Sequence, residues 1–197
     1  MKIIGILILI VLVASVVFLG FVYSGFFNVA ATSSDPAFVN WIMSTTSDKS
    51  IERHAKTVAL PNTPPDTAKG FEHYDAMCVA CHGAPGVSPD KMAKGLNPPP
   101  PELDEAAAEF TLAELFWTIK NGIKWTGMPA FGTTYPDENI WAIAAFVQSL
   151  PSLNEEQYAA KRKTRPTSES GHEQADVPEA DTGEQPTYPT SGSEQVQ

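Results

Sequence analysis

The chain has 197 residues and a net charge of −10, with thirteen Lys and Arg against twenty-three Asp and Glu. That balance leaves no basic footprint for a nucleic-acid backbone. Two cysteines exclude both a disulfide-rich scaffold and a four-cysteine zinc site.

The first 34 residues read as an N-terminal membrane-spanning segment. No charge occurs between Ile3 and Ser34, and Ile3 to Tyr23 is almost wholly apolar. As a helix that stretch spans roughly 31 Å, about one hydrocarbon core. Lys2 precedes it, so the positive-inside rule leaves the N-terminus in the cytoplasm and the rest of the chain outside. The expected setting is a single-pass protein of the cytoplasmic membrane with its main domain on the periplasmic, extracytoplasmic side. The alternative is a cleaved signal peptide with Val29-Ala30-Ala31 as the cleavage site. The apolar run is long for a signal h-region, and both readings export the remainder.

Residues 35–65 read as a neutral, helical and proline-containing linker. Ser34-Asp35-Pro36 looks like a helix start, and Phe38, Val39, Trp41, Ile42 and Met43 follow. This helix either packs on its own domain or lies at a membrane interface with Trp41 as anchor. A second helical stretch is expected from about Ser47 to Lys56. Pro61, Pro64 and Pro65 then form an extended connector.

Residues 66–151 carry all the recognisable chemistry, with eleven acids and five bases. Strand-like alternation is missing, so the segment reads as helices joined by Pro/Gly loops. Asp66 to Met77 reads as a polar helix with Gly70, Phe71 and Tyr74 on one face. Thr111-x-x-Glu114 is a capping box and Gly122 a C-cap, which bounds a helix over Leu112 to Asn121. Asp137 is expected to cap a last helix that stops before Pro151. Its stripe is Ile140, Trp141, Ile143, Ala144 and Val147.

Both cysteines fall in Cys78-Val79-Ala80-Cys81-His82. Residues three apart share a helix face, so both thiols can meet one flat partner beside an imidazole. This is the pattern for covalent haem attachment, with thioethers from Cys78 and Cys81 and with His82 as proximal iron ligand. A thioredoxin-like redox pair lacks its strand–helix context, and a disulfide inside one helix closes almost no loop. Among five methionines, Met128 is the candidate for the second axial site. It lies 46 residues past His82, between Gly127, which permits close backbone approach, and Pro129, which stiffens the loop. Met1 and Met43 lie in other segments, Met77 abuts Cys78, and Met92 is only ten residues past His82. His73 reads as a solvated residue. His54 would be a ligand only if Met128 were not. Trp125 and Tyr135 read equally well as partners of a haem propionate or as core aromatics.

With those residues in view, 66–151 resembles a class I monohaem c-type cytochrome. The pieces that carry the resemblance occur in order: Gly70-Phe71, Cys78 to Gly86, Asn97 to Pro101, Glu114 to Trp117, Asn121 to Lys124, Gly127 to Gly132, and Ile140-Trp141. The resemblance implies an all-α, cytochrome c-like fold around one covalent haem c, preceded here by the transmembrane helix. It implies that Gly70 and Phe71 meet Trp141 or Phe146. It further implies that a proline carbonyl accepts a hydrogen bond from His82, with Pro98 the first candidate in the run Pro98 to Pro101.

Filled His/Met ligation points to one-electron transfer rather than enzymatic turnover, with no small-molecule substrate. The expected partners are a protein electron donor and acceptor, including a respiratory complex. Lys91, Lys94, Lys120 and Lys124 are candidates for a basic rim that steers an acidic partner. Two other readings stay open: a fixed cytochrome subunit of a membrane oxidoreductase, and a haem enzyme or gas sensor with a dissociable Met128. Residues 152–197 are rich in Glu, Thr, Ser and Pro, and read as an acidic disordered tail.

Overall fold

The computed structural model describes residues 2–164. Among them the regular elements are helices, apart from one isolated bridge between Ala84 and Val87. Helix α1 spans Lys2–Tyr23 and buries none of its residues. Helix α2 spans Ala37–Ala55 without interruption. Two helices were expected over this stretch. The polar run Ser44 to Ser47 has no Gly or Pro to end the first.

Helix α3, Thr67–His73, is capped by the Asp66 carboxylate, which accepts from the backbone N–H groups of Ala68 and Lys69. It runs directly into one π-turn over Tyr74–Cys78 and then into α4, Val79–His82. Gly83, at φ +66°, ends the run. Helix α5 is Leu103–Ala106. Helix α6, Leu112–Asn121, has the complete Thr111/Glu114 capping box at its start and Gly122 at φ +64° at its end. Helix α7 is Asp137–Ser149 and α8 is Glu155–Thr164.

The core forms where α3 and α6 pack on α7. At Gly70 any side chain would collide with the Ala142 carbonyl, so the two backbones approach closely only because this residue is glycine. The Phe71 ring meets Phe146 edge-on at 5.4 Å. Thus Phe146, rather than Trp141, is the aromatic partner at this crossing. Trp141 instead stacks on Phe116 of α6 at 3.8 Å. The expected stripe on α7 is buried throughout.

Two further expectations change, and for the helix within residues 35–65 the open reading of packing on its own domain holds at its C-terminal half. Asp137 is the first residue of α7 rather than its cap, and its carboxylate pairs with Lys120 at 2.7 Å. Residues 35–65 are folded onto the domain over much of their length. The end of α2 buries Ile51 and Ala55, α2 packs on α6, and His54 stacks on Trp117 at 5.2 Å. Val58 reaches the core, and Asn97 donates to the Ser33 carbonyl at 3.2 Å. Finally, residues 155–164 of the stretch read as disordered are helix α8. Its Tyr158 is fully buried, edge-on to Phe71 at 5.5 Å. Residues 165–197 of that stretch lie outside the described residues.

Candidate haem site

The π-turn sits directly before the attachment pentapeptide. An extra residue in a helical turn is a local irregularity often found at functional sites. Here Tyr74, at its start, is completely buried and donates its hydroxyl to the Gly83 carbonyl at 2.7 Å. One side chain therefore ties the beginning of the turn to the residue just after His82. Asp75, within the turn, is held from α8. The Arg162 guanidinium lies 2.9 Å from its carboxylate and the Tyr158 hydroxyl 3.1 Å.

Cys78 and Cys81 are free thiols, each half-buried. Burial first, and the neighbouring Cys81 second, push the Cys78 thiol up to about 12. The His82 ring has Nδ1 2.9 Å from the Pro101 carbonyl. A carbonyl only accepts, so Nδ1 carries the proton and Nε2 keeps the lone pair that a metal needs. Burial lowers the His82 pKa below its ordinary value, which favours the neutral ring. The carbonyl partner is therefore Pro101, three residues beyond the expected Pro98. Consecutive prolines each offer a carbonyl and no N–H, so the residue pattern does not distinguish among them. The path of the loop selects one.

Met128 is half-buried and packs against the core cluster, as do Met77 and Cys78. Its loop is cross-braced. The Met128 N–H donates to Thr126 Oγ1 at 3.1 Å, and Thr126 Oγ1 donates to the Ile123 carbonyl at 2.8 Å. A Cβ at Gly122 would sit 2.7 Å from the Met128 carbonyl, and one at Gly127 2.8 Å from the Leu96 side chain. Both glycines thus allow the loop to close on its neighbours.

The other sequence candidates separate. The Tyr135 hydroxyl lies 2.8 Å from Met77 Sδ. Trp125 is 79% exposed with φ at 60°. His54 contacts Trp117, and its Nδ1 lies 2.8 Å from the Ser50 carbonyl. His73 is half-buried, edge-on to Tyr135 at 5.6 Å, and burial depresses its pKa. Of the proposed basic rim, Lys120 is paired with Asp137, while Lys91, Lys94 and Lys124 are exposed.

The residues fit a haem. Two thiols one helical turn apart precede an imidazole with a committed tautomer. Leu103, Phe110, Leu112, Phe131 and Met128 are only partly buried on the edge of the core, an apolar border that a large flat group would cover. Among the described residues, Thr118 Oγ1 on α6 is buried without a hydrogen-bond partner. An all-helical domain assembled around Cys-x-x-Cys-His with these features is a c-type cytochrome domain. Residues 65–147 match the family model described as cytochrome C oxidase, cbb3-type, subunit III, and this segment is a haem-binding, electron-transfer domain of the c-type cytochromes. No curated protein and no solved structure matches the chain.

Sequence reasoning does not single out the roles of Tyr74 and Asp75, and within the run Pro98 to Pro101 it ranks Pro98 ahead of Pro101. Tyr74 was placed on a helix face, but its bond to Gly83 depends on the π-turn. Asp75 has meaning only once α8 is present.

Proposed function

We propose that this chain is an outward-facing, membrane-anchored carrier of single electrons with one haem c. In this reading Cys78 and Cys81 would hold the haem through two thioethers, and His82 and Met128 would ligate its iron. Helix α1 is retained as a single-pass anchor with its N-terminus in the cytoplasm. The observation that carries the assignment of His82 is the 2.9 Å contact from its Nδ1 to the Pro101 carbonyl, which leaves Nε2 free to hold an iron and would raise the basicity of the ring.

The haem supplies the one-electron chemistry. The chain's residues would bury it, orient it and set its potential. Methionine ligation raises the reduction potential, and two filled axial positions disfavour oxygen or peroxide binding. The cross-braced loop from Gly122 to Pro129 holds Met128 in place, which opposes its dissociation.

A second reading has a specific observation in its favour: the matched family model is named for an oxidase subunit. The chain would then be a fixed cytochrome subunit of a larger membrane oxidoreductase. Stable co-purifying subunits in detergent would establish it, and a monodisperse single chain would favour the mobile carrier.

Met128→Ala tests the ligand assignment. The variant is expected to lose the methionine–iron charge-transfer band, to bind carbon monoxide in the ferrous state and to show a lower potential. The unaltered protein should bind little carbon monoxide. An unchanged spectrum in the variant removes Met128 from the site. Ready carbon monoxide binding by the unaltered folded protein would favour the gas-sensor or enzyme reading.

A further inference from the structure

Helix α2 has two dissimilar halves. From Ala37 to Ser47 it carries no charge, whereas Asp48, Lys49, Glu52 and Arg53 fall in the second half. The second half is docked on α6 through Ile51 and Ala55. The first half presents Phe38, 68% exposed, and Trp41, 62% exposed, with their rings stacked at 6.2 Å. Phe38, Trp41 and Ile42 are spaced i, i+3, i+4 and so share one face. At about 100° per residue, the centre of this face lies about 110° round the helix from that of Ile51 and Ala55, with Trp41 about 40° and Ile42 about 140° from Ala55. The exposed face is therefore turned sideways from the one that grips α6, and a different surface can cover it while the α6 contact stays in place.

Its position along the chain indicates what covers it. Residues 24–36 join α2 to α1, the one helix among the described residues long and apolar enough to cross a membrane. That connector reaches on the order of 45 Å even when fully extended. Its far end is pinned, because Ser33 accepts a hydrogen bond from Asn97. Between Ile3 and Asp48 the only charged residue is Asp35. Aromatic side chains on an uncharged helical stretch close to a membrane anchor favour the lipid–water interface.

We propose that the face of α2 formed by Phe38, Trp41 and Ile42 lies on the lipid surface, in the headgroup region of the membrane that α1 spans. This rests on the reading of α1 as a retained anchor. Because the other half of α2 is packed on α6, such a contact fixes the orientation of the whole haem domain relative to the membrane. The domain then does not swing on residues 57–66, and whichever edge of it faces outward does so constantly.

The test uses the full haem-loaded chain in phosphatidylcholine nanodiscs. The discs are doped with a phosphatidylcholine that carries a diazirine near the glycerol end of its acyl chain. After illumination, labelled peptides are mapped by mass spectrometry. Label is expected in α1 and at residues 38–42, with several-fold less over residues 48–56. In a Phe38→Ser/Trp41→Ser variant the α2 label should fall several-fold, while the α1 label and the haem spectrum stay unchanged. Label confined to α1 overturns the lipid contact and leaves the anchor reading standing. Absence of label from α1 overturns the anchor reading itself. An α2 face that is unlabelled in nanodiscs but protected from solvent labelling in native membranes would identify a protein partner, and this too overturns the proposal.

Discussion

Two helices that flank the matched cytochrome segment hold it by opposite means. Helix α2 precedes residues 65–147 and α8 follows them. The contact of α2 with α6 is mainly apolar, made by Ile51, Ala55 and a His54–Trp117 stack. Helix α8 buries a single aromatic, Tyr158, and grips the π-turn through polar groups. The Asp75 carboxylate is only 3% exposed and meets both the Tyr158 hydroxyl and Arg162. Apolar docking is tolerant of small displacements, since burial is non-directional. A buried carboxylate fixed at about 3 Å is not. The difference matches what each helix holds. Helix α2 grips the body of the domain through α6, while α8 bears on the turn that leads into Cys78.

The largest expected effects come from the two buried anchors. Tyr158→Ala removes a fully buried ring from between Phe71 and Asp75, and should cost about 3–5 kcal/mol. Ile51→Ala should cost about 2–4 kcal/mol. Equilibrium urea unfolding of the haem-loaded protein measures both. The comparison is sharpened by a second readout, hydrogen exchange at the amides of residues 74–82. Tyr158→Ala should accelerate exchange there by more than its loss of global stability accounts for, whereas Ile51→Ala should accelerate it by no more than its own loss. Acceleration that matches the global loss in both would mean that α8 has no privileged hold on the attachment turn.

Arg162→Ala should have an intermediate effect, about 1–3 kcal/mol, because it takes a charged partner from a buried carboxylate that keeps its bond to Tyr158. Arg162 is itself 47% exposed, which places the effect toward the lower end. Salt separates the two helices. At 1 M ionic strength the Debye length is about 3 Å, so the cost of Arg162→Ala should shrink relative to low salt. The cost of Ile51→Ala should not. A salt-independent Arg162→Ala would show that packing of the arginine stem, and not its charge, provides the contact.

The same contrast explains what was legible in the residue pattern. The capping box at Thr111 and Glu114, the Gly122 terminus and the α7 stripe depend on neighbours within a turn or two, and the structure reproduces them. The Cys-x-x-Cys-His motif is local as well. Helix α8 was hidden because its amphipathic signal is one buried residue, Tyr158, among charges that resemble a solvated tail. The function of those charges appears only when Asp75, more than eighty residues earlier, comes to face them. Asp137 departs from its expected capping role for a related reason. It has a long-range partner, Lys120, and no local cap geometry. Likewise Pro101 is selected at His82 by the course of the proline loop, which the composition of that loop does not encode.

The smallest expected effect tests whether α2 docking has any directional component. The His54 and Trp117 rings are stacked at 5.2 Å, 30° from parallel. Aromatic pairs of this kind are worth about 0.5–1.5 kcal/mol beyond their buried area. His54 is exposed, so its coupling to Trp117 should fall at the lower limit. A double-mutant cycle of His54→Ala and Trp117→Leu isolates the pair from the burial each ring contributes separately. A coupling near about 0.5 kcal/mol would give α2 a register on α6 and hence a defined angle for its exposed half. Zero coupling would leave Ile51 and Ala55 as non-directional grease. The angle at which Phe38 and Trp41 leave the domain would then have to be set elsewhere, by the hydrogen bond from Asn97 to Ser33.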